Sequence, residues 1–222
     1  MSMANRKRTY KYYFTVEGET ELWYFQWLEK QINSEQGALR RVSFVCKKKD
    51  PLKNAKDLPI VQPTVVTHIF DYESNDPIHT ARFATTLERM KKAGTQGKKI
   101  SYKLGYSNFS FELWVVLHKA DSFGTLTHRR QYLAPINRAF DEHFENLDQY
   151  KHEDNFKRVL RKLCLQDVKD AVYRARLITD KNYEYGYPLQ NYKGYCYYRE
   201  NPSLSIWESV ARILSDCGLI KR

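Results

Sequence analysis

The first half of the chain alternates apolar runs with amphipathic segments. Residues 10–16 are rich in β-branched and aromatic side chains, which predicts a strand. Residues 19–33 then repeat apolar positions at helical spacing. Further strands are predicted at 41–46 and 64–70. The second of these is almost continuously apolar, as is typical of a buried strand in a parallel sheet.

The same alternation continues beyond the apolar strand. Pro77 fits the first turn of a helix that runs to about Ala93, and residues 98–104 predict another short strand. Residues 108–118 fit either a helix or a strand, and we favour a helix. A lysine-rich segment, 47–58, predicts a loop. Strands alternating with helices indicate a parallel α/β sheet flanked by helices.

From residue 129 onward the pattern becomes mainly helical. Helices are predicted at 129–145, 154–164, 166–180 and 203–217. Between the last two, a tyrosine-rich stretch predicts a loop or a poorly formed hairpin. We therefore divide the chain into an α/β domain, residues 1–125, and a helical extension, residues 126–222, which either packs on that domain or forms one compact unit with it.

The balance of charge points to polyanionic partners. The chain of 222 residues has 37 Lys and Arg against 26 Asp and Glu, a formal net charge of +11. This favours nucleic acid first and acidic protein surfaces second, although a basic protein with no such partner is the alternative. The four cysteines have no zinc-binding spacing. With no apolar leader and no apolar stretch of membrane-spanning length, we expect a cytoplasmic protein with free thiols and a frayed terminus at residues 1–9.

Acidic residues follow two of the predicted strands. Glu17 ends the first strand, and Asp71, with Glu73 beside it, ends the most apolar one. Functional residues of open α/β sheets collect beyond the carboxyl ends of strands, so these side chains can meet if the two strands are neighbours. Such a cluster suits Mg²⁺ or Mn²⁺, with Glu21 or Glu19 as a general base. The structural alternative is a turn followed by a helix whose first turn is acidic.

The run VEGETELWYF at 16–25 and the run FDYE at 70–73 resemble the opening motif and the second acidic motif of the RloB family. The most specific is YSNFSFELWVVLH at 106–118. DAVYRAR at 170–176 and NPSLS at 201–205 are also similar to family motifs. The resemblance covers about residues 10–217.

This resemblance implies a TOPRIM-like α/β domain. TOPRIM domains bind Mg²⁺ through a Glu after the first strand and a D-x-D after a later one, which gives Glu17, Asp71 and Glu73 here. Glu73 stands in place of the second Asp and is one methylene longer. The resemblance also implies a bacterial anti-phage or abortive-infection setting, as in AbiL-type pairs, with an ABC/SMC-like AAA ATPase encoded alongside. It further implies a toxic nuclease that acts on RNA, including tRNA, or on DNA.

Other side chains have both a functional and a structural interpretation. In a helix over 108–118, Asn108 and Glu112 would share a face. Glu112 would then serve as a metal ligand or general base, or else as a cap or as the partner of a basic residue inside the fold. We assign nucleic-acid binding to Lys47, Lys48, Lys49, Ser107, Asn108 and His118, although a buried histidine and a solvated lysine run are the common alternatives. The basic residues of the later helices (Arg158, Arg161, Lys162, Arg174 and Arg176) fit a polyanion groove or an acidic partner. The tyrosines between 183 and 198 either stack on bases or pack the fold.

Three functions compete at this point. The leading hypothesis is a Mg²⁺-dependent nuclease in a phage-defence pair, with Glu17, Glu21, Asp71, Glu73 and Glu112 as its catalytic carboxylates. The second is a non-catalytic subunit that binds nucleic acid or the ATPase. The third, nucleotidyl transfer, ranks last because the chain has no obvious nucleotide-binding glycine-rich loop.

Overall fold

A computed structural model describes residues 7–60 and 62–221. Its centre is a five-stranded sheet in the spatial order β2-β1-β3-β4-β7. The first four strands are parallel, and β7 pairs with β4 in the antiparallel direction. Their bounds are β1 Thr9–Val16, β2 Arg41–Lys48, β3 Thr64–Tyr72, β4 Ile100–Asn108 and β7 Ser203–Leu204. The predicted parallel α/β sheet with flanking helices and a helical C-terminal part is confirmed.

Helices connect the strands along the chain. In the first half they are α1 Glu19–Ser34, α2 Pro51–Asp57, α3 Pro77–Ala93 and α4 Glu112–Val116. A 3-10 turn, Arg129–Tyr132, leads into α5 Leu133–Phe140, followed by α6 Leu147–Lys151, α7 Glu153–Arg161, α8 Leu165–Glu184 and α9 Ile206–Asp216. The hairpin β5 Gln190–Tyr192 and β6 Tyr195–Tyr197 forms a separate two-stranded sheet, so the hairpin alternative for the tyrosine-rich stretch is correct.

Local capping explains where two predictions about elements succeed or fail. The Asp76 carboxylate accepts hydrogen bonds from the backbone N–H groups of Ile78 and His79, and α3 begins at Pro77 as predicted. The Asp50 carboxylate accepts hydrogen bonds from the backbone N–H groups of Leu52 and Lys53 in the same way, at the start of α2. Because of this cap the lysine-rich segment contains helix α2, and the predicted loop was wrong there.

Strand β4 is longer than the pattern predicts. It continues to Asn108, and only Glu112–Val116 form the helix predicted over 108–118. Asn108 and Glu112 therefore do not share a helical face. Strand β3 likewise extends to Tyr72, so Asp71 is the second-last residue of the strand rather than a residue after it, and it lies opposite Ser107 of β4.

Two hydrophobic clusters lie on the two sides of the sheet. The larger contains Phe14 and Phe25 from the first half together with Phe156, Val168 and Ile213 from the second. The smaller packs α3 and the β5–β6 hairpin against the other face. The predicted division near residue 125 is thus not a division between separate hydrophobic cores, because the C-terminal part supplies both core residues and a strand to the sheet.

No helix in the described part of the chain is both long and apolar enough to cross a bilayer. The first six residues of the predicted frayed terminus lie outside the described residues.

Candidate active site

Carboxylates from separate elements gather at one edge of the parallel sheet. Glu17 directly follows β1, Glu21 lies in the first turn of α1, Asp71 is near the end of β3, and Glu112 begins α4. Strands β1 and β3 are direct neighbours, with Val16 opposite Ile69, so the predicted adjacency of the two acidic strand ends is confirmed. The backbone N–H of Asp71 lies near enough to the Glu17 carboxylate to lower its pKa.

The opening EGETE motif has a local geometry that turns Glu21 inward. Glu21 is only 4% exposed, and Thr20 Oγ1 donates a hydrogen bond to Glu21 Oε2 over 2.9 Å. A Cβ atom at Gly18 would lie 2.5 Å from Glu21 Oε2, closer than real contacts allow. Glycine at this position therefore leaves the space that the Glu21 carboxylate occupies.

Asp71 is the electrostatic centre of the cluster. Burial raises its pKa well above the usual range, and the negative charges of Glu21 and Glu112 raise it further. The ammonium of Lys151, at the end of α6, acts in the opposite direction. Glu21, Asp71, Glu112 and Lys151 therefore lie within range of one another's charge.

Glu17 is tuned toward neutral pH. Crowding of its carboxylate by protein atoms raises its pKa to about 7, and the nearby Glu21 charge adds to this effect. The Asp71 N–H and Arg82 partly oppose the shift. Because the side chain keeps an exposed surface, it can exchange a proton with solvent.

Glu73 lies in the same small cleft but is held by cations. The cleft, about 10 Å³ or roughly the space for one water, is lined by Glu17, Asp71, Glu73, His79 and Arg82 among others. Arg82 Nη1 lies 3.1 Å from Glu73 Oε1, and Arg129 Nη1 lies 3.5 Å from Glu73 Oε2. His79 Nε2 is 3.3 Å from the same Oε2 atom. All three predicted metal ligands thus share one cleft, but Glu73 already has basic partners there.

Three residues of the site were missed by the sequence analysis. Lys151 Nζ lies 3.1 Å from Glu112 Oε1, and Ser110 Oγ donates to Glu112 Oε2. The Tyr150 hydroxyl is buried with no hydrogen-bond partner in the described structure, and burial followed by the charges of Glu112 and Glu21 raises its pKa. The spacing of Ser110 and Glu112 within the most specific motif was an available signal. Lys151 gave none, because it lies far along the chain in an ordinary amphipathic pattern.

The donor chemistry of the cluster fits a hard divalent cation. Glu17, Glu21, Asp71 and Glu112 supply carboxylate oxygens whose charges raise the pKa values of their neighbours, and the Lys151 ammonium offsets only part of that repulsion at Asp71. Among residues 7–60 and 62–221, however, no three Asp, Glu, His or Cys side chains are placed to hold a metal ion as they stand. The side chains present therefore fit such an ion by chemistry and must rearrange to surround it.

A comparison with protein-family models decides the family. The model for RloB-like proteins matches residues 12–213, which is most of the chain. The chain belongs to the RloB-like family. No curated protein and no solved structure matched it.

The motifs by which the chain resembles other RloB-like proteins meet in space. Asn201 Nδ2 donates to the Asn108 carbonyl over 2.8 Å, which joins the NPSLS segment to the end of β4. Arg174, from the DAVYRAR segment, donates to the Leu117 carbonyl over 2.8 Å and pairs with Asp121. These bonds brace the segment that carries Ser110 and Glu112, so the distant motifs of this RloB-like chain support a single site.

The residues predicted to bind nucleic acid fall into two groups. Lys47 and Lys48 pair with Thr15 and Val16 at the carboxyl end of the sheet, so they lie at the same edge as the carboxylates. Lys48 Nζ lies 3.1 Å from Glu19 Oε1, and Lys49 forms an ion pair with Asp57. Lys48 and Lys49 thus already have carboxylate partners, and the role of the three lysines in binding nucleic acid stays a prediction.

Ser107, Asn108 and His118 are buried instead, each with 1% exposure or less. The His118 ring contacts the Tyr24 hydroxyl at 3.0 Å and the Trp114 carbonyl at 2.9 Å, and burial lowers its pKa to about 4. Asn108 Nδ2 donates to the carbonyls of Arg199 and Glu200. His118 and the Asn108 amide nitrogen are therefore engaged inside the fold, whereas the Ser107 hydroxyl is buried with no hydrogen-bond partner among the described residues. None of the three presents a surface for the nucleic-acid contact predicted from the sequence.

Proposed function

We propose that this RloB-like chain is a metal-dependent, TOPRIM-like nuclease that hydrolyses phosphodiester bonds in RNA, including tRNA, or in DNA. The observation that carries the proposal is the convergence of Glu17, Glu21, Asp71 and Glu112 at the carboxyl edge of a parallel sheet. A cluster of mutually repelling carboxylates is costly to a fold, and a divalent cation relieves the repulsion. The adjacent lysines of β2 favour a phosphate backbone as the substrate.

Each side chain has a role in this proposal. A bound Mg²⁺ or Mn²⁺ ion would supply positive charge to phosphoryl oxygens and lower the pKa of water. Glu17, Asp71 and Glu21 would hold it, with Glu73 joining if it leaves its arginine partners. Without the ion Glu17 has a pKa near 7 and binds a proton at neutral pH, which the ion would displace on binding. Lys151, whose pKa is raised by the neighbouring carboxylates, stays protonated and offsets part of the negative charge around Asp71.

The biological setting is part of the same proposal and rests on family membership. We place the chain in the bacterial cytoplasm as the toxic effector of an anti-phage, abortive-infection system, with an ABC/SMC-like AAA ATPase as its partner. The positive charge of the chain suits a nucleic-acid substrate in that setting.

A single variant tests the nuclease proposal. Asp71→Asn keeps the shape of the side chain but removes its charge, so Mg²⁺-dependent cleavage of tRNA or plasmid DNA should fall by at least about a hundredfold, on the scale of losing a group that stabilises the transition state. Asp180→Asn, at an exposed position of α8, is the matched control and should cleave normally. The thermal transition of each variant shows that it is folded. Wild-type protein that cleaves neither substrate with Mg²⁺ or Mn²⁺, alone or with its ATPase, would contradict the proposal.

A non-catalytic subunit that binds nucleic acid or the ATPase is the second candidate. It is favoured by the ion pairs of Glu73 with Arg82 and Arg129, which occupy one of the three predicted ligands. In that case Asp71→Asn would leave phage defence in cells unchanged, although the protein stays folded. Nothing in the described part of the site favours nucleotidyl transfer over these two.

A further inference from the structure

A groove runs between α8 and α9, away from the carboxylate site. Its volume is about 600 Å³. Helix α8 contributes Lys169, Val172, Tyr173 and Arg176, which are spaced so that they share one face of the helix. Helix α9 contributes Trp207, Ala211 and Ser215 at intervals of four, again a single face. The groove is therefore a continuous channel formed by two regular helices.

The floor of the groove is apolar and partly open to solvent. Trp207, Ala211 and Ile220 pack on the larger hydrophobic cluster but remain partly exposed. Tyr173 is 63% exposed at the edge. Trp207 Nε1 is buried and lacks a hydrogen-bond acceptor in the described part of the chain. An exposed apolar channel of this kind is a common feature of sites that bind another protein.

The rim of the groove is basic. Lys169, Arg176, Arg212 and Lys221 line it, and the one acidic residue of the lining, Asp216, is engaged with the Tyr12 hydroxyl and with Arg212. Among the described residues, Lys169 and Arg176 form no ion pair. The unbalanced positive charge favours a partner that carries negative charge.

We propose that this groove binds an acidic, amphipathic helical segment of a partner protein. Apolar side chains of the segment would lie on Trp207 and Ala211, and its carboxylates would face Lys169 and Arg176, the usual arrangement of a helix in a groove. A second copy of the chain does not fit, because the same basic rim would then face itself across a two-fold axis. A nucleic acid is less suited, because the floor is a narrow strip between helices rather than a set of exposed rings on which bases stack.

The experiment is a selection from a display library of amphipathic helices of roughly 15 residues, the length at which isolated helices begin to form. Sequences are selected on wild-type protein and counter-selected on Ala211→Arg, which fills the floor of the groove. The expected result is enrichment of sequences with apolar residues at intervals of three or four and Asp or Glu between them. Enrichment of neutral or basic sequences would overturn the proposal. So would a selection in which every enriched sequence binds Ala211→Arg as well as it binds wild type.

Matched variants then locate the site with one selected peptide. Lys169→Glu with Arg176→Glu should weaken binding at least about tenfold and reduce its dependence on salt. Tyr173→Ser should also weaken binding. Tyr183→Ser, a more exposed tyrosine on the same helix, and Arg161→Glu, an exposed cation of α7, are the controls and should bind normally. If single-stranded RNA binds wild type, loses affinity in the groove variants but not the controls, and displaces the peptide, the groove is a nucleic-acid site and the proposal fails.

Discussion

The ammonium of Lys151 lies 3.1 Å from Glu112 Oε1, and the Glu112 side chain has no exposed surface at all. Lys151 is itself partly exposed, so the pair joins a buried negative charge to a cation at the surface. The charges of Glu112, Asp71 and Glu21 together raise the Lys151 pKa, although its burial acts to lower it. In the described structure Lys151 therefore supplies part of the positive charge that we assign to a metal ion in the active protein.

Replacing Lys151 should expose the repulsion among the carboxylates. Without a divalent ion, Lys151→Met should lower the free energy of unfolding by about 3 kcal/mol, because removal of one partner leaves Glu112 buried and unpaired. Mn²⁺ should then raise the melting temperature of the variant more than that of wild type, because the ion compensates for the missing ammonium. Chemical denaturation and thermal scans with and without Mn²⁺ measure both effects.

Lys157→Met is the control for this substitution. Lys157 pairs with Glu153 at the exposed surface of α7, so its loss should cost less than about 1 kcal/mol and should not change the response to Mn²⁺. Adding Glu112→Gln to Lys151→Met should restore part of the stability. If Mn²⁺ raises the melting temperatures of wild type and Lys151→Met by the same amount, the assignment of a metal ion to this carboxylate cluster is contradicted.

Glu17 makes stability depend on pH in a direction opposite to that of an ordinary paired carboxylate. Its pKa rises from 4.5 to about 7 on folding, so between these values the folded protein binds more protons than the unfolded chain. Stability from this group is then present at low pH and is lost as the pH rises toward 7. Without divalent ions, Glu17→Gln should gain stability relative to wild type as the pH rises from about 5 to about 8.

The comparison that isolates Glu17 is the difference between the urea-unfolding curves of wild type and variant at each pH. Glu19→Gln, which removes an exposed carboxylate two residues away, is the control. Its difference from wild type in the free energy of unfolding should be the same at about pH 5 and about pH 8. If the free energies of unfolding of Glu17→Gln and wild type differ by the same amount throughout this pH range, Glu17 has an ordinary pKa and the prediction is wrong.

His118 tests whether a residue of the most specific motif binds nucleic acid or supports the fold. His118→Ala removes a ring that contacts Tyr24 and Trp114 in the core, so the free energy of unfolding should fall by about 2–4 kcal/mol. Affinity for RNA, measured at a temperature where the variant is folded, should not change. A loss of RNA affinity with unaltered stability would restore the sequence-based assignment.

The sequence predicted what depends on local pattern and missed what depends on distant contacts. Strand β1, helix α3 and the adjacency of Glu17 to Asp71 follow from apolar spacing, a proline at a helix start and the general placement of sites in α/β sheets. The burial of His118 was given only as an alternative, because nothing local says that Tyr24, 94 residues away, contacts its ring. The pairing of Arg129 with Glu73 and the approach of Lys151 to Glu112 likewise depend on how the 3-10 turn and α6 pack.

The lysines at the end of β2 provide the remaining prediction. Lys47→Glu with Lys48→Glu should weaken binding of RNA or DNA and reduce the slope of affinity against salt concentration by about one for each phosphate that is no longer neutralised. Lys91→Glu with Lys92→Glu, which changes the same charge at the exposed end of α3, is the control. Because Lys47 and Lys48 lie beside β1 at the carboxylate edge, only the first pair should also lower the cleavage rate at low substrate concentration. Equal effects of the two pairs would mean that the net charge of the chain attracts nucleic acid without directing it to this edge.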